Sequence, residues 1–78
     1  MKILVRNLDR ATTEEEVTAL FEQFGVVQSC SLVLDAVTGG SKGFGFVEMP
    51  KPGEAKAAVK SLNQTEVGRN TIRVKRAE

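Results

Sequence analysis

The segment Lys42-Gly43-Phe44-Gly45-Phe46-Val47-Glu48-Met49 decides the fold of this chain. Its residues alternate in character with a period of two, and successive side chains of a β-strand point to opposite faces of a sheet. One face carries Gly43, Gly45, Val47 and Met49, and the other carries Lys42, Phe44, Phe46 and Glu48. The segment therefore predicts a strand over residues 42–49 whose aromatic rings point away from its aliphatic side chains.

Three further strands are predicted around this segment. Residues 2–8 and 71–75 contain alternating β-favouring residues, and Ile72 and Val74 of the latter face inward. Residues 26–34 form another strand, with an irregularity near its start because the inward residues are not evenly spaced. Those inward residues are Val27, Cys30 and Leu32. Turn-forming residues over 35–41 predict a hairpin loop, and residues 64–70 predict a loop or a short hairpin.

Two amphipathic helices are predicted between the strands. The first begins at a capping box, formed by Thr13 with Glu16 or, one residue earlier, by Thr12 with Glu15. It is expected to end at Gly25 in a left-handed conformation. The second covers roughly residues 53–62, with Pro52 in its first turn and Asn63 at its end. Their apolar stripes, with the i, i+3, i+4, i+7 spacing, are Val17, Leu20, Phe21 and Phe24, and Ala55, Ala58, Val59 and Leu62.

The predicted order of elements is β-α-β-β-α-β. With right-handed crossovers, this order produces a four-stranded antiparallel sheet with both helices on one face. The fold class is therefore α+β and ferredoxin-like, and residues 1–78 are expected to form one domain. Two helices cover one side of such a sheet, so its other side faces solvent.

Residue types that are missing from the chain narrow its function. The sequence has one cysteine, Cys30, and no histidine, which excludes an internal disulfide, a Cys/His zinc site and histidine catalysis. We therefore predict no enzymatic activity, no metal and no cofactor. No apolar run is long enough to span a bilayer, and Arg6 interrupts the N-terminal apolar run before it resembles a secretory signal. With a lone thiol, these features predict a cytoplasmic protein with no membrane association.

The solvent-facing side of the predicted sheet carries the unusual side chains. Placing Phe44 and Phe46 there forgoes about 1.5–3 kcal/mol of burial for each ring, whereas stacking on a nucleobase contributes about 1–3 kcal/mol per base. The formal net charge is only +1, but residues 1–40 hold three cations and six acids, and residues 41–78 hold eight cations and four acids. Glutamates concentrate on the first helix and cations on the open face, where Glu48 is the one acid. This polarity favours a polyanionic partner at the sheet.

Residues 42–49 closely resemble the RNP1 signature of the RNA recognition motif family, and Ile3-Leu4-Val5-Arg6-Asn7-Leu8 resembles its RNP2 signature. The chain is also similar to the small bacterial RNA-binding proteins of this family. The resemblance implies a module that binds single-stranded RNA on its open sheet. Phe46 would stack on a base, Phe44 would contact the sugars and Lys42 would pair with a phosphate. The implied RNA-binding residues are Lys2, Leu4, Arg6, Asn7, Lys42, Phe44, Phe46, Arg73, Lys75 and Arg76.

Leu4 departs from the family pattern, which usually has a stacking aromatic at this position. An aliphatic side chain offers apolar contact without a π face, so we expect weaker or less selective binding of one nucleotide. Arg6 could compensate with charge or by stacking its guanidinium group. Asn7 matches the motif, but it could equally serve to position the loop that follows it.

Several alternatives remain open at the level of the sequence. The two phenylalanines could be covered by a C-terminal extension or by a protein partner, in which case the chain is a protein-interaction module of the same fold. Arg73, Lys75 and Arg76 could contact RNA or simply form a solvated edge. Acylphosphatase-like catalysis would need a phosphate-binding loop that the segment 7–10 does not resemble. We expect a monomer, and both RNA and single-stranded DNA remain possible ligands.

Overall fold

The computed structural model describes residues 1–77. Its elements follow the order β-α-β-β-α-β, with an additional short hairpin before the last strand. They are β1 (Lys2–Arg6), α1 (Glu14–Glu22), β2 (Ser29–Leu34), β3 (Ser41–Glu48), α2 (Pro52–Leu62), β4 (Glu66–Val67), β5 (Asn70–Thr71) and β6 (Arg73–Arg76).

The main sheet has the strand order β2-β3-β1-β6, and its neighbouring strands are antiparallel. Both helices pack on one side of it through their apolar stripes, so the predicted ferredoxin-like fold is confirmed. β4 and β5 form the separate hairpin within residues 64–71. The buried core contains Ile3, Val5, Leu8, Val17, Phe21, Val47, Met49, Ala55, Ala58, Leu62, Ile72 and Val74.

The start of α1 follows the later of the two predicted capping boxes. Thr13 is the N-cap, and its hydroxyl accepts a hydrogen bond from the backbone N–H of Glu16 at 3.2 Å. In return, the Glu16 carboxylate accepts from the backbone N–H of Thr13 at 3.3 Å. Thr12 is instead buried. The reciprocal bonds satisfy two N–H groups that the first turn of a helix leaves free.

The end of α1 differs from the prediction. The helix stops at Glu22 with Gln23 as its C-cap, two residues before Gly25. The φ angle of Gly25 is 157°, far from the left-handed helical value, so the predicted left-handed ending was wrong. A side chain at Gly25 would collide with Glu54, whose carboxylate accepts from the Val26 N–H at 3.1 Å. Glycine is needed here because α2 passes close to the backbone.

The first two strands of the sheet are shorter than predicted. β1 ends at Arg6 because Asn7 has a φ of 60°, which turns the chain out of the extended conformation. β2 begins only at Ser29, and its register shift lies between Leu32 and Leu34 rather than near its start. The predicted inward residues of this region, Val27, Cys30 and Leu32, do pack against the core.

The end of α2 agrees with the prediction, whereas the final strand covers Arg73–Arg76 instead of residues 71–75. Pro52 occupies the first turn, and Asn63 is the C-cap. The Asn63 side chain also accepts a hydrogen bond from the backbone N–H of Val74 at 3.0 Å, which connects the end of the helix to β6. In residues 1–77, neither helix is long and apolar enough to cross a membrane.

Candidate nucleic-acid interface

The strand register determines which side chains lie next to one another on the open face. Phe46 lies opposite Leu4 of β1 and opposite Ser31 of β2. Two residues further along β3, on the same face, Glu48 lies opposite Lys2 and Ser29. These pairs form two adjacent rows across the three strands, one with the ring at its centre and one with the carboxylate at its centre.

Phe44 and Phe46 remain accessible on this face. Both rings are half-buried, as is Leu4, and none of the three belongs to the core cluster formed by the described residues. Val47 and Met49, on the opposite face of the same segment, are completely buried. The separation of aromatic from aliphatic side chains that the sequence predicts is therefore present.

The glycines that precede these two rings, Gly43 and Gly45, have a structural role that the sequence did not reveal. A Cβ atom at Gly45 would lie 2.5 Å from the carbonyl oxygen of Ser31, so only glycine permits β2 to pair this closely with β3. Gly43 has a φ of 84°, a conformation that other residues rarely adopt. The empty core-side positions are thus requirements of the backbone and not only a consequence of exposing the rings.

Lys2 occupies one face of the Phe46 ring. Its ammonium nitrogen lies over the ring, 4.8 Å from the centroid, which is a cation–π distance. At an exposed site this interaction contributes about 0.5–1 kcal/mol. Because this is less than a base stack contributes, a nucleobase can displace the ammonium from the ring.

Four further cations border the rings. Arg6, Lys42, Arg73 and Lys75 are all exposed. Arg73 lies opposite Arg6, and Lys75 lies opposite Leu4, so these two side chains of β6 are on the open face. This agrees with the predicted location of Arg6, Arg73 and Lys75, whereas Lys42 lies at the end of the sheet, just before the positive-φ residue Gly43.

Two of the predicted site residues have a different environment. Arg76 is paired with Ile3, a core residue, so its side chain leaves β6 on the side of the helices and not on the open face. The strand extends one residue beyond the predicted end and alternation continues, which separates the Arg76 side chain from the other cations of β6, and its role in RNA binding stays a prediction. Asn7 donates from Nδ2 to the carbonyl oxygen of Thr71 at 2.7 Å, which commits its side chain to positioning the loop.

A basic cleft at the end of the sheet was missed by the sequence reasoning. It has a volume of about 480 Å³ and brings Arg10 and Arg69 beside Lys42. Asp9 shapes this cleft, since its carboxylate accepts from the backbone N–H groups of Ala11 at 2.9 Å and Arg69 at 3.2 Å. These hydrogen bonds, that from Ala11 foremost, lower the pKa of Asp9 below its usual value. The residues of the cleft come from segments that are far apart in the sequence, around residues 7–10, 42–43 and 69–70, so no local pattern predicts that they meet.

The acids lie mainly behind the sheet. Glu14, Glu15 and Glu16 occupy the first turn of α1, where the positive end of the helix dipole stabilises them. Glu14 also accepts from the Leu32 N–H at 2.9 Å. Within residues 1–77, no group of three or more side chains is arranged to hold a metal ion. The open face is therefore the part of the surface suited to a flat, anionic ligand.

An open antiparallel sheet with accessible rings, a cationic border and helices behind it defines a nucleic-acid-binding class of α+β domain. The profile of the RNA recognition motif matches residues 3–73. This chain belongs to the RNA recognition motif family.

Individual relatives agree with this assignment. The poly(U)-binding-splicing factor PUF60-B of Danio rerio is 36% identical over 76 residues, which are 97% of this chain but only 15% of that protein. The crystal structure of RNA-binding protein PG1 superposes with a TM-score of 0.95 at 40% identity, covering 99% of this chain and 93% of that one. A Sex-lethal protein–RNA complex has a TM-score of 0.93 at 30% identity, covering 99% of this chain and 46% of that one.

Proposed function

We propose that this domain binds single-stranded RNA across its open sheet. The observation that carries the proposal is the pair of accessible rings, Phe44 and Phe46, outside the core and beside exposed cations. Phe46 stacks on one base and Phe44 contacts the sugars of two neighbouring nucleotides. Leu4, opposite Phe46, provides an apolar contact for the adjoining base without a π face.

The cations of the open face bind the phosphates in this proposal. Lys42 stands two residues before Phe44 in the sequence. Arg6 is paired with Arg73 across β1 and β6, and Lys75 continues the same surface. Each phosphate that they neutralise releases condensed counterions, so binding should weaken as the salt concentration rises. Lys2 is set apart from these four cations, because its ammonium lies over the Phe46 ring.

The proposal extends to how the domain works. It acts as a single domain over residues 1–78, as a monomer in the cytoplasm, and binds without catalysing a reaction or holding a cofactor. The part of this proposal that concerns catalysis and cofactors is supported by the composition, since the sequence has no histidine and only one cysteine. Burial raises the pKa of the Cys30 thiol, which disfavours the reactive thiolate.

The proposal is tested by mapping amide chemical-shift changes during titration with short single-stranded RNAs. The relative's name refers to poly(U), so oligouridine is the first probe, followed by a random-sequence pool and the matching DNA. The largest changes are expected on β1 and β3, and Phe44→Ala/Phe46→Ala should remove most of the affinity. Val37→Ala is the matched control, because Val37 is 93% exposed and belongs to the loop between β2 and β3, outside the strands of the sheet.

Shift changes confined to the helices, or full affinity in the double variant, would contradict the proposal. A protein-interaction module remains the alternative outcome. It would be indicated by a folded domain that fails to bind every nucleic acid in the titration.

A further inference from the structure

A small pocket lies beside Phe46 on the open face. It has a volume of about 210 Å³ and is lined by Lys2, Ser29, Ser31, Phe46 and Glu48. The register explains its composition, because Glu48 is flanked by Lys2 and Ser29, and Phe46 is flanked by Ser31. A base stacked on Phe46 can therefore extend its edge toward the Glu48 carboxylate.

The polar groups of this pocket have a distinctive pattern. An ionised carboxylate only accepts hydrogen bonds, an ammonium group only donates them, and a serine hydroxyl can do both. Glu48 accepts from the Ser29 hydroxyl at 3.4 Å, which is long for an O–H···O hydrogen bond and leaves most of its accepting capacity free. A carboxylate on a face that binds phosphates is unfavourable unless the ligand supplies donors to it.

Resting on the proposed function, we infer that this pocket selects guanine as the base stacked on Phe46. The Watson–Crick edge of guanine presents two adjacent donors, N1–H and the N2 amine, which match the two oxygens of one carboxylate. Its O6 atom is an acceptor, which suits the Lys2 ammonium. When the base stacks, it takes the place of Lys2 over the ring, and the flexible lysine moves to the base edge.

The other three bases fit the pocket less well. Uracil presents one donor, N3–H, between two carbonyl oxygens that the carboxylate repels. Cytosine and adenine each present an exocyclic amine next to an unprotonated ring nitrogen, so neither offers two adjacent donors. A bidentate pair discriminates between bases by about tenfold or more, and we expect a guanine preference of that size.

The test uses hexauridine, its variant with one central guanosine, and the same variant with inosine, which lacks the N2 amine. Affinities are measured by fluorescence anisotropy for the wild type, Glu48→Gln and the control Glu22→Gln, which changes an exposed acid on α1. The wild type and the control should bind the guanosine RNA about tenfold more tightly than hexauridine, with inosine in between. In Glu48→Gln this ratio should fall to about two or less, while hexauridine binds at least as well as before.

Equal or tighter binding of hexauridine by the wild type would overturn the inference, as would an unchanged ratio in Glu48→Gln. The variant Phe46→Ala separates this failure from failure of the proposed function. If Phe46→Ala loses affinity for every RNA while Glu48→Gln keeps its ratio, only the guanine pocket is wrong. If Phe46→Ala binds as the wild type does, the stacking surface itself is wrong.

Discussion

Replacement of Phe46 by alanine separates RNA binding from folding. Phe46 is half-buried, lies opposite Leu4 and Ser31, and carries the Lys2 ammonium over its ring. The variant loses part of the burial free energy of a phenylalanine together with the cation–π contact, which lowers the free energy of unfolding by about 1–2 kcal/mol. By comparison, truncating a fully buried phenylalanine such as Phe21 costs about 3–5 kcal/mol.

The same substitution should weaken RNA binding measurably while the domain stays folded. One base stack is worth about 1–3 kcal/mol, so the dissociation constant should rise about 5-fold to 150-fold. Fluorescence anisotropy with a labelled single-stranded RNA measures the affinity, and urea denaturation followed by circular dichroism measures the stability. Phe46→Leu is the matched variant, because it keeps apolar bulk and removes the π face.

The two variants give a clear criterion. Phe46→Leu should retain more stability than Phe46→Ala yet lose a comparable part of the RNA affinity. If Phe46→Leu binds RNA as tightly as the wild type, then apolar contact alone suffices and the stacking argument is refuted. If Phe46→Ala is unfolded at 25 °C, the placement of this ring outside the core is refuted.

Three further predictions concern Leu4, Lys42 and Asp9. Leu4→Phe adds a second π face beside Phe46 and should increase RNA affinity about 5-fold or more by anisotropy, and an unchanged affinity would show that no base lies there. Lys42→Ala should reduce the slope of log affinity against log salt by about 0.7, as expected for one lost phosphate contact, whereas Lys56→Ala on the exposed side of α2 should leave it unchanged. The pKa of Asp9 is lowered in the folded state by the N–H groups of Ala11 and Arg69, so its stabilising contribution is present above its ordinary pKa of 3.8 and is lost as the pH falls through the folded value. Urea denaturation should therefore show wild type more stable than Asp9→Asn at pH 7, with the difference shrinking as the pH falls below 3.8, and a constant difference would contradict the hydrogen-bonding argument.

Much of the candidate site could be predicted from the two-residue alternation of aromatic and aliphatic or glycine positions in residues 42–49. Phe44 and Phe46 are accessible because Val47 and Met49 of the same segment are buried, and this alternation is visible in the residue types alone. The ends of the elements were less predictable. Gly25 is a good helix terminator by type, but α1 ends earlier and Gly25 instead accommodates Glu54, a residue of the other helix.

The location of Arg76 shows how small errors at an end change a site. One additional residue of strand places its side chain opposite Ile3, on the side of the helices. A shift of one residue reverses the face that a side chain occupies, so a boundary error also changes which surface that side chain is assigned to.

The residue pattern alone predicts the order of the elements, a capping box at Thr12 or Thr13 and the opposite faces of the aromatic and aliphatic residues of β3. These properties depend on residues a few positions apart, whose preferences and spacing are readable directly. The contacts of Lys2 with Phe46 and Glu48, and the hydrogen bond from Asn7 to Thr71, 64 residues away, are visible only in the folded chain. Such pairs follow from strand register, which the packing of the shared core sets over long range, so no local pattern announces them.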